Sequence, residues 1–317
     1  MKFSIIIPLY NRPDEIKELL ESLTRQTYKN FEVIVIEDGS VNKAEDIVRS
    51  FIGKLEVHYY YKENSGQGFS RNFGFEKAGG DYFIIFDSDC IIPDHYLETV
   101  NDYLKKNYLD AYGGPDRAHP AFNDIQKAIS YSMTSFFTTG GIRGNKKRVG
   151  QFHPRSFNMG ISRKVYEDTK GFIITRMAED LELSVRIIRK GYKVGLIEDA
   201  YVYHKRRTNL KQFFKQIHFF GRARINLHRF FPEELKPVHF FPALFTLGLL
   251  FTLLTVLISC KLFLMLFSCF VAYALLILVD SSIKNKSLKV GLLSAAAVYT
   301  QLTAYGIGFL TEIFKKR

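Results

Sequence analysis

Asp81-Tyr-Phe-Ile-Ile-Phe-Asp-Ser-Asp89 decides how this chain is read. Tyr82 to Phe86 is a short unbroken run of large apolar residues, the pattern of a strand buried on both faces of a sheet. Asp87 and Asp89 follow at its carboxyl end, with Ser88 between them. Two hard oxygen donors fixed at a strand end suit a divalent cation that also touches phosphate oxygens. Asp-x-Asp is equally an ordinary acidic turn, so the pair gains meaning only from the segments around it.

Four segments stand in order about it. Upstream lies Phe3-Ser-Ile-Ile-Ile-Pro-Leu-Tyr-Asn-Arg-Pro-Asp-Glu15. Phe3 to Ile7 predicts a strand, and Pro8 ends its pairing because it has no N–H to donate. Pro13 with Asp14 and Glu15 suits a helix start, and Ile16, Leu19, Leu20 and Leu23 keep helical spacing. Phe31 to Ile36 predicts a second strand, ending in Glu37-Asp38-Gly39-Ser40. Gly66-Gln-Gly-Phe-Ser-Arg-Asn-Phe-Gly74 is a glycine-rich loop running into a helix. Ala178-Glu179-Asp180 opens a further helix, with Arg186, Arg189 and Lys190 in its last turn and Gly191 after it.

Strands alternating with helices predict an α/β domain with a mainly parallel sheet. In such sheets ligands bind beyond the carboxyl ends of the strands, where Pro8, Asp38 and Asp87 all fall. Asp38 can accept from a nucleobase N–H, or it can shape the turn before Gly39. Arg71 can meet a diphosphate with its planar fork, or it can form a surface ion pair.

Taken together, Ile5-Ile-Ile-Pro-Leu-Tyr-Asn11, Glu37-Asp38-Gly39-Ser40, Ser70-Arg71-Asn72-Phe73-Gly74, Asp87-Ser88-Asp89, Glu179-Asp180 and His204 resemble glycosyltransferase family 2. These are inverting enzymes of the GT-A fold, and the resemblance covers roughly residues 1–205. It implies a nucleotide-sugar donor, a divalent metal (Mg2+ or Mn2+) and a single displacement at the sugar carbon. Carried over residue by residue, it puts Pro8, Tyr10, Asn11, Asp38, Arg71, Asp87 and Ser88 on the donor. Asp87, Asp89 and His204 fall on the metal, Asp180 at the general base, and Glu179 beside it to orient donor or acceptor. The processive synthases of the family carry Gln-x-x-Arg-Trp after the acidic pair. This chain has no tryptophan and reads Phe219-Phe-Gly-Arg-Ala-Arg224 there, which argues against processive synthesis.

The 317 residues allow one large domain and an appendage. Cys90, Cys260 and Cys269 have no metal-ligand spacing and no even framework, which fits a reduced compartment. The amino-terminal apolar run is too short for a signal peptide. After Pro237 the composition changes. Phe240 to Cys260 and Leu262 to Val279 carry no charge and are long enough to span a bilayer. A third stretch, Val290 to Thr311, either spans, re-enters or packs on its neighbours. The expected division is a GT-A domain over 1–205, a basic amphipathic region over 206–237 and a membrane domain over 238–317, with transmembrane helices near 240–260, 262–280 and 290–311. Lys284, Lys286 and Lys289 between the second and third stretches argue for a cytoplasmic loop. A multi-pass protein of the plasma (inner) membrane with its catalytic domain in the cytoplasm follows. Lys315, Lys316 and Arg317 would then lie outside, against the usual bias of positive charge.

Residues 205–236 hold nine Lys and Arg against two acids, a net +7 of the chain's +12. Over Asn209 to Phe231, Lys211, Lys215, Arg222 and Arg229 align on one side at ~100° per residue, and Leu210, Phe213, Phe214, Ile217 and Gly221 on another. This predicts a helix in the membrane interface, its cations toward lipid phosphates, or else an amphipathic helix packed on protein. Arg224 projects to the apolar side and needs a partner, either a lipid-linked phosphate or Glu233 or Glu234. The basic loop Gly140 to Gly150 either covers the donor, guides a phosphate-bearing acceptor or is simply solvated. Positive charge beside apolar segments favours lipid over nucleic acid as the partner. The reading that follows is transfer of a sugar, from a UDP-sugar, to a lipid-linked acceptor in cell-envelope glycan synthesis. Direct transfer to polyprenyl phosphate is the alternative, and a membrane-bound sugar-nucleotide scaffold without catalysis is a third.

Overall fold

A computed structural model describes residues 1–140 and 152–315. All but the first residue of the basic loop at 140–150 falls outside these, as do Lys316 and Arg317. The chain forms two compact units, Met1–His119 with Ile142–Lys205, and Pro120–Gly141 with Arg206–Arg317.

The first unit contains every strand found among the described residues: β1 (Phe3–Leu9), β2 (Phe31–Asp38), β3 (Val57–Lys62), β4 (Tyr82–Phe86), β5 (Cys90–Ile91), β6 (Ala111–Gly113), β7 (Asp116–Arg117), β8 (Asn158–Ser162), β9 (Val194–Leu196) and β10 (Val202–His204). Seven of them make a sheet in the order β3-β2-β1-β4-β8-β6-β9, and β5-β10-β7 make a small second sheet. The large sheet is parallel except for β8, which runs against β4 and β6. Asn158, the first residue of β8, pairs with Phe86, the last of β4, so the chain enters β8 at the carboxyl end of the sheet and has to run back.

Successive side chains of a strand point to opposite faces, and both faces are covered here. Phe3, Ile5, Ile7, Val33, Val35, Ile84 and Phe86 pack with α1 (Pro13–Thr24) and α4 (Tyr96–Lys106). Ile6, Ile34, Ile36, Phe83 and Ile85 pack on the other face with α3 (Gln67–Lys77), α7 (Arg163–Thr169) and α8 (Glu179–Arg189). Each such fully buried side chain stabilises the fold by about 1.5–3 kcal/mol relative to exposure. Short α2 (Glu45–Arg49) precedes β3.

The second unit is helical: α5 (Asp124–Thr134), α6 (Phe136–Thr139), α9 (Leu210–Phe230), α10 (Phe241–Leu254), α11 (Cys260–Asn285) and α12 (Leu288–Ile313). Residues 120–141 thus belong to it although they lie within the 1–205 stretch. Among the described residues three helical segments are long and apolar enough to cross a membrane: Pro237–Leu257, Cys260–Asn285 and Leu288–Ile313. They differ in environment. Almost none of the most apolar stretch of α11 is buried, while half of that of α12 is. The helix expected over 209–231 is α9, capped by Asn209, whose side chain accepts from the Gln212 N–H at 2.9 Å. Phe213 and Ile217 of α9 share a core with Ala297 and Ala304 of α12 and with Ile129 and Met133 of α5. Glycine makes that approach possible. A Cβ at Gly221 would stand 2.2 Å from the Tyr305 carbonyl oxygen, and one at Gly308 would stand 2.1 Å from that of His218.

Candidate active site

Three parallel strands end at one edge of the large sheet, and each delivers polar residues there. Beyond β1, Tyr10 is exposed and Asn11 adopts φ 53°. The Asn11 side chain accepts from the Val41 and Asn42 N–H groups at 2.8 and 3.1 Å, and the Asn11 backbone N–H donates to the Ser40 hydroxyl at 2.8 Å. This staples the loop after β1 to the loop after β2. Pro8 does not end the pairing as its missing N–H suggests: it lies within β1 opposite Ile36, and Leu9 continues opposite Glu37, because proline keeps its carbonyl for the neighbouring strand.

Asp38 ends β2 and is buried. It accepts from Lys62 Nζ at 2.7 Å and from the Ser65 and Gly66 N–H groups at 2.9 and 2.8 Å. The carboxylate is thus well supplied with donors from the chain itself. Burial by itself raises the Asp38 pKa. Lys62, the two amides and the Ser70 hydroxyl outweigh it and hold the carboxyl below its ordinary value. Gly66 has φ 88°, and a Cβ there would stand 2.4 Å from Thr175 Oγ1, so only glycine turns the chain into α3 at this point.

Arg71 is the centre of the arrangement. It is 1% exposed, although the sequence reading aims it at a diphosphate. Its position in the first turns of α3 points it inward: Nη2 donates to Asp87 Oδ1 at 2.8 Å and Nη1 to Glu179 Oε1 at 3.3 Å, while the guanidinium lies 5.4 Å from the centre of the Phe172 ring. One buried cation therefore joins the Asp-x-Asp strand end to the start of α8, 108 residues from Arg71 in sequence. Gln67, at the first turn of α3, also donates to Glu179 Oε1. Burial and the adjacent Asp180 raise the Glu179 pKa, against the opposing pull of Arg71 and Gln67. Just before Glu179, Met177 and Ala178 have φ 62° and 76°. Left-handed backbone costs a non-glycine residue about 1–3 kcal/mol and persists where the surroundings enforce it.

Asp180 is partly exposed and faces Arg155, whose Nη1 lies 3.3 and 3.4 Å from its two oxygens. Ser184, one turn further along α8, donates to the Pro154 carbonyl at 2.8 Å and so holds the Arg155 backbone beside the helix.

Asp89 is held from two sides. Arg12 Nη1 donates to Oδ2 at 2.6 Å, and His204 Nε2 stands 3.0 Å from Oδ1. His204 arrives on β10, which pairs with Cys90 of β5. Burial pushes the Asp89 carboxyl up, and His204 and Arg12 outweigh it and keep it well below the usual carboxylate range. His204 Nδ1 is buried without a hydrogen bond among the described residues, while its Nε2 faces Asp89 Oδ1. A carboxylate and an imidazole converging at a strand end fit a divalent cation. Asp89, Cys90 and His204 offer ligand atoms within 4.8 Å of one another. Burial pushes the Cys90 thiol well up, so it is neutral and a poor ligand for a hard ion. Ser88 is buried between the two aspartates.

Arg12, Lys62, Gln67 and Arg155 touch the predicted acids and were not among the residues singled out from sequence. Gln67 stands inside the glycine-rich segment and Arg12 next to Pro13, so both lay in view. Arg155 carries no local signal.

The cations of the basic helix are in the second unit. Lys211 and Lys215 are exposed. Arg222 and Arg229 are paired with Glu312 of α12, through Nε at 2.9 Å and Nη1 at 3.0 Å. Glu312 is fully buried, so these two are engaged by protein and the stripe expected to face lipid is narrower than its spacing implies. Arg224 is half-buried.

The family model for glycosyl transferase family 2 matches residues 4–169. An uncharacterized glycosyltransferase of Rickettsia bellii is 36% identical over 106 residues, 33% of this chain and 15% of that protein. The minor teichoic acid biosynthesis protein GgaB of Bacillus subtilis is 25% identical over 213 residues, 65% of this chain and 23% of that protein. The chain thus spans well under half the length of these relatives. Among solved structures, the mannosyltransferase PcManGT of Pyrobaculum calidifontis, in complex with GDP-Man and Mn2+, aligns with a TM-score of 0.60 at 16% identity. The alignment covers 100% of this chain and 88% of that one, a likeness of fold. With the family model on more than half of its residues, and with strand-end acids in a GT-A sheet, the chain belongs to glycosyltransferase family 2.

Proposed function

We propose that the protein is a membrane-anchored inverting glycosyltransferase that moves a sugar from a nucleotide-sugar, a UDP-sugar, to a lipid-linked polyprenyl acceptor in cell-envelope glycan synthesis. The observation that carries this reading is the double ion pair of Arg71, which ties Asp87 of the Asp-x-Asp segment to Glu179 of the Glu179–Asp180 pair through one buried cation.

Glycosyl transfer needs a stabilised leaving diphosphate, a base for the acceptor hydroxyl and a site that favours positive charge on the sugar ring. Asp89 and His204, with Asp87 beside them, would hold Mg2+ or Mn2+. When bound, such an ion neutralises the charge that develops on the departing diphosphate. Asp180 accepts the hydroxyl proton, and Arg155 fixes the direction of its carboxylate. Glu179, tied to Arg71 and Gln67, orients the bound sugar. Pro8, Tyr10, Asn11, Asp38 and Ser88 border the donor at the strand ends.

The cell-envelope assignment draws on the likeness to GgaB, which is named for teichoic acid biosynthesis. Residues 1–205 carry the catalytic sheet, 206–237 the basic connection and 238–317 the anchor. The three long apolar helices support a multi-pass membrane protein, and Lys284, Lys286 and Lys289 favour a cytoplasmic face for the loop they occupy and for the catalytic domain.

Purified full-length protein, a panel of nucleotide-sugars and release of free nucleoside diphosphate test the proposal. UDP release is expected only when a polyprenyl-linked saccharide is present, and EDTA or Asp89→Ala should abolish it. Release with bare polyprenyl phosphate moves the acceptor to the lipid phosphate itself. Activity indifferent to EDTA removes the metal, and silence with every donor leaves a binding scaffold.

A further inference from the structure

We propose that residues 120–140 enter the lipid layer, so that the break between α5 and α6 sets Phe136 and Phe137 among acyl chains. The inference rests on the reading of α10 to α12 as membrane helices, and it concerns a stretch that interrupts the sequence of the catalytic unit.

Depth is given by what α5 and α6 touch. Asp124, at the start of α5, pairs with Lys289 at the start of α12, 2.8 Å away. This is the charged end of the helical unit. Seven residues further along α5, Tyr131 packs with Ile277, Val298 and Leu302, and its hydroxyl donates to Asp280 at 2.5 Å. Val298 is ten residues into α12, roughly 15 Å along its axis. The Phe137 carbonyl then accepts from the Tyr273 hydroxyl at 3.0 Å. Lys284, paired with Asp280 at 2.8 Å, lies 6.0 Å from the centre of the Phe137 ring. Phe137 therefore sits between the Asp280–Lys284 pair and Tyr273, a level seven residues or roughly 10 Å deeper along α11.

Several backbone carbonyls in and around this break take protein hydroxyls as partners. A helix end in hydrocarbon has carbonyls that nothing in the lipid can serve. Here the run of hydroxyls serves some of them. Ser132 donates to Ile129 O at 2.8 Å and Thr134 to Ser130 O at 2.8 Å. Thr138 donates to Ser132 O at 2.6 Å and to Ser135 O at 2.9 Å, and Thr139 to Ser135 O at 3.1 Å. Ser135 Oγ in turn accepts from the Phe137 N–H at 3.3 Å.

The outward side is apolar. Phe136 is 61% exposed and Phe137 42% exposed. Leu276 of α11, on the flank of Tyr273 and Asp280 by its spacing, is also exposed. Two phenylalanines at a helix break rich in hydroxyl-to-carbonyl bonds, continuous with the apolar surface of α11 and below a collar of charge, fit acyl chains as their occupant.

The chain has no tryptophan, so single replacements act as depth probes in the full-length protein. Phe136→Trp, and independently Phe137→Trp, would be reconstituted in phosphatidylcholine bilayers brominated near the headgroup end or near the terminal methyl of the acyl chains. Leu264→Trp in α11 and Tyr108→Trp in the α/β unit serve as references. Both Phe replacements should lose as much fluorescence to bromine as Leu264→Trp, more from bromines near the headgroup end, and should ignore iodide in the water. Quenching by iodide, as for Tyr108→Trp, overturns the inference. So does silence to both quenchers, which would mean that protein covers the break. If Leu264→Trp also escapes bromine, the membrane reading falls and takes the inference with it.

Discussion

Two buried charges, one in each unit, make opposite choices. In the α/β unit a buried cation, Arg71, stands between two carboxylates, Asp87 and Glu179. In the helical unit a buried carboxylate, Glu312, stands between two guanidinium groups, Arg222 and Arg229. In each cluster the inner charge meets two of the opposite sign. The first lies near Asp89 and Asp180, which are themselves met by Arg12 with His204 and by Arg155. The second lies on a helix rich in Lys and Arg. The same electrostatic device thus appears with opposite sign in the two units.

Removing the inner charge breaks each cluster, and the cost should differ. Arg71→Met leaves Glu179 buried without its cation and Asp87 repelling it. A loss of about 3–5 kcal/mol is expected, read as a fall in the urea midpoint together with loss of activity. A midpoint within error of wild type would mean that Arg71 is not the link between the two acidic segments. Asp180→Asn is expected to leave that cluster and donor binding intact while transfer falls about 10²-fold or more. Calorimetric donor binding beside a single-turnover assay separates the two, and a near-normal rate would move the base to Glu179.

Glu312→Gln is the counterpart of Arg71→Met and should cost less, about 1–2 kcal/mol, because Arg222 and Arg229 keep access to solvent and the amide still accepts hydrogen bonds. Thermal unfolding in detergent would show it. A loss equal to that of Arg71→Met would erase the difference between the clusters.

Asp38 sharpens the comparison by pH. Its folded pKa is depressed, so its contribution is complete above the ordinary carboxylate value of about 3.9 and is lost as pH falls through the lower folded value. The melting temperature of wild type should therefore exceed that of Asp38→Asn at neutral pH, and the gap should close in acid. A gap that widens as pH falls would reverse the sign of this argument. The smallest effect is expected from Lys211 and Lys215, the exposed cations of α9. Replacement of either by Gln should weaken the preference of reconstituted protein for phosphatidylglycerol by about 1 kcal/mol, measured with spin-labelled lipids at low and high salt. An unchanged preference would leave α9 as a helix that serves protein contacts alone.

The alternation of apolar strands and amphipathic helices was legible because both periods are local. Phe3 to Ile7, Phe31 to Ile36 and Tyr82 to Phe86 are strands, and the acids at their ends lie at one edge of a mainly parallel sheet. The reversal of β8 was not legible, since Asn158 to Ser162 reads the same in either direction and only the path of the chain into it sets its sense. Helical spacing likewise found α9 and its apolar side, but not Glu312, 90 residues from Arg222. Periodicity cannot tell a cation facing lipid from one facing a distant carboxylate.

The amino-acid sequence by itself determined the strand-end acids, the glycine-rich entry to α3, the family and the three apolar helices, because each depends on neighbours within a few residues. Tertiary structure alone decided which charges meet: Arg71 with Glu179, Arg12 with Asp89, Arg155 with Asp180, and Tyr131 with Asp280. Those pairs are set by how layers stack, and the strength of a charge contact depends on distance and burial, neither of which is written along the chain.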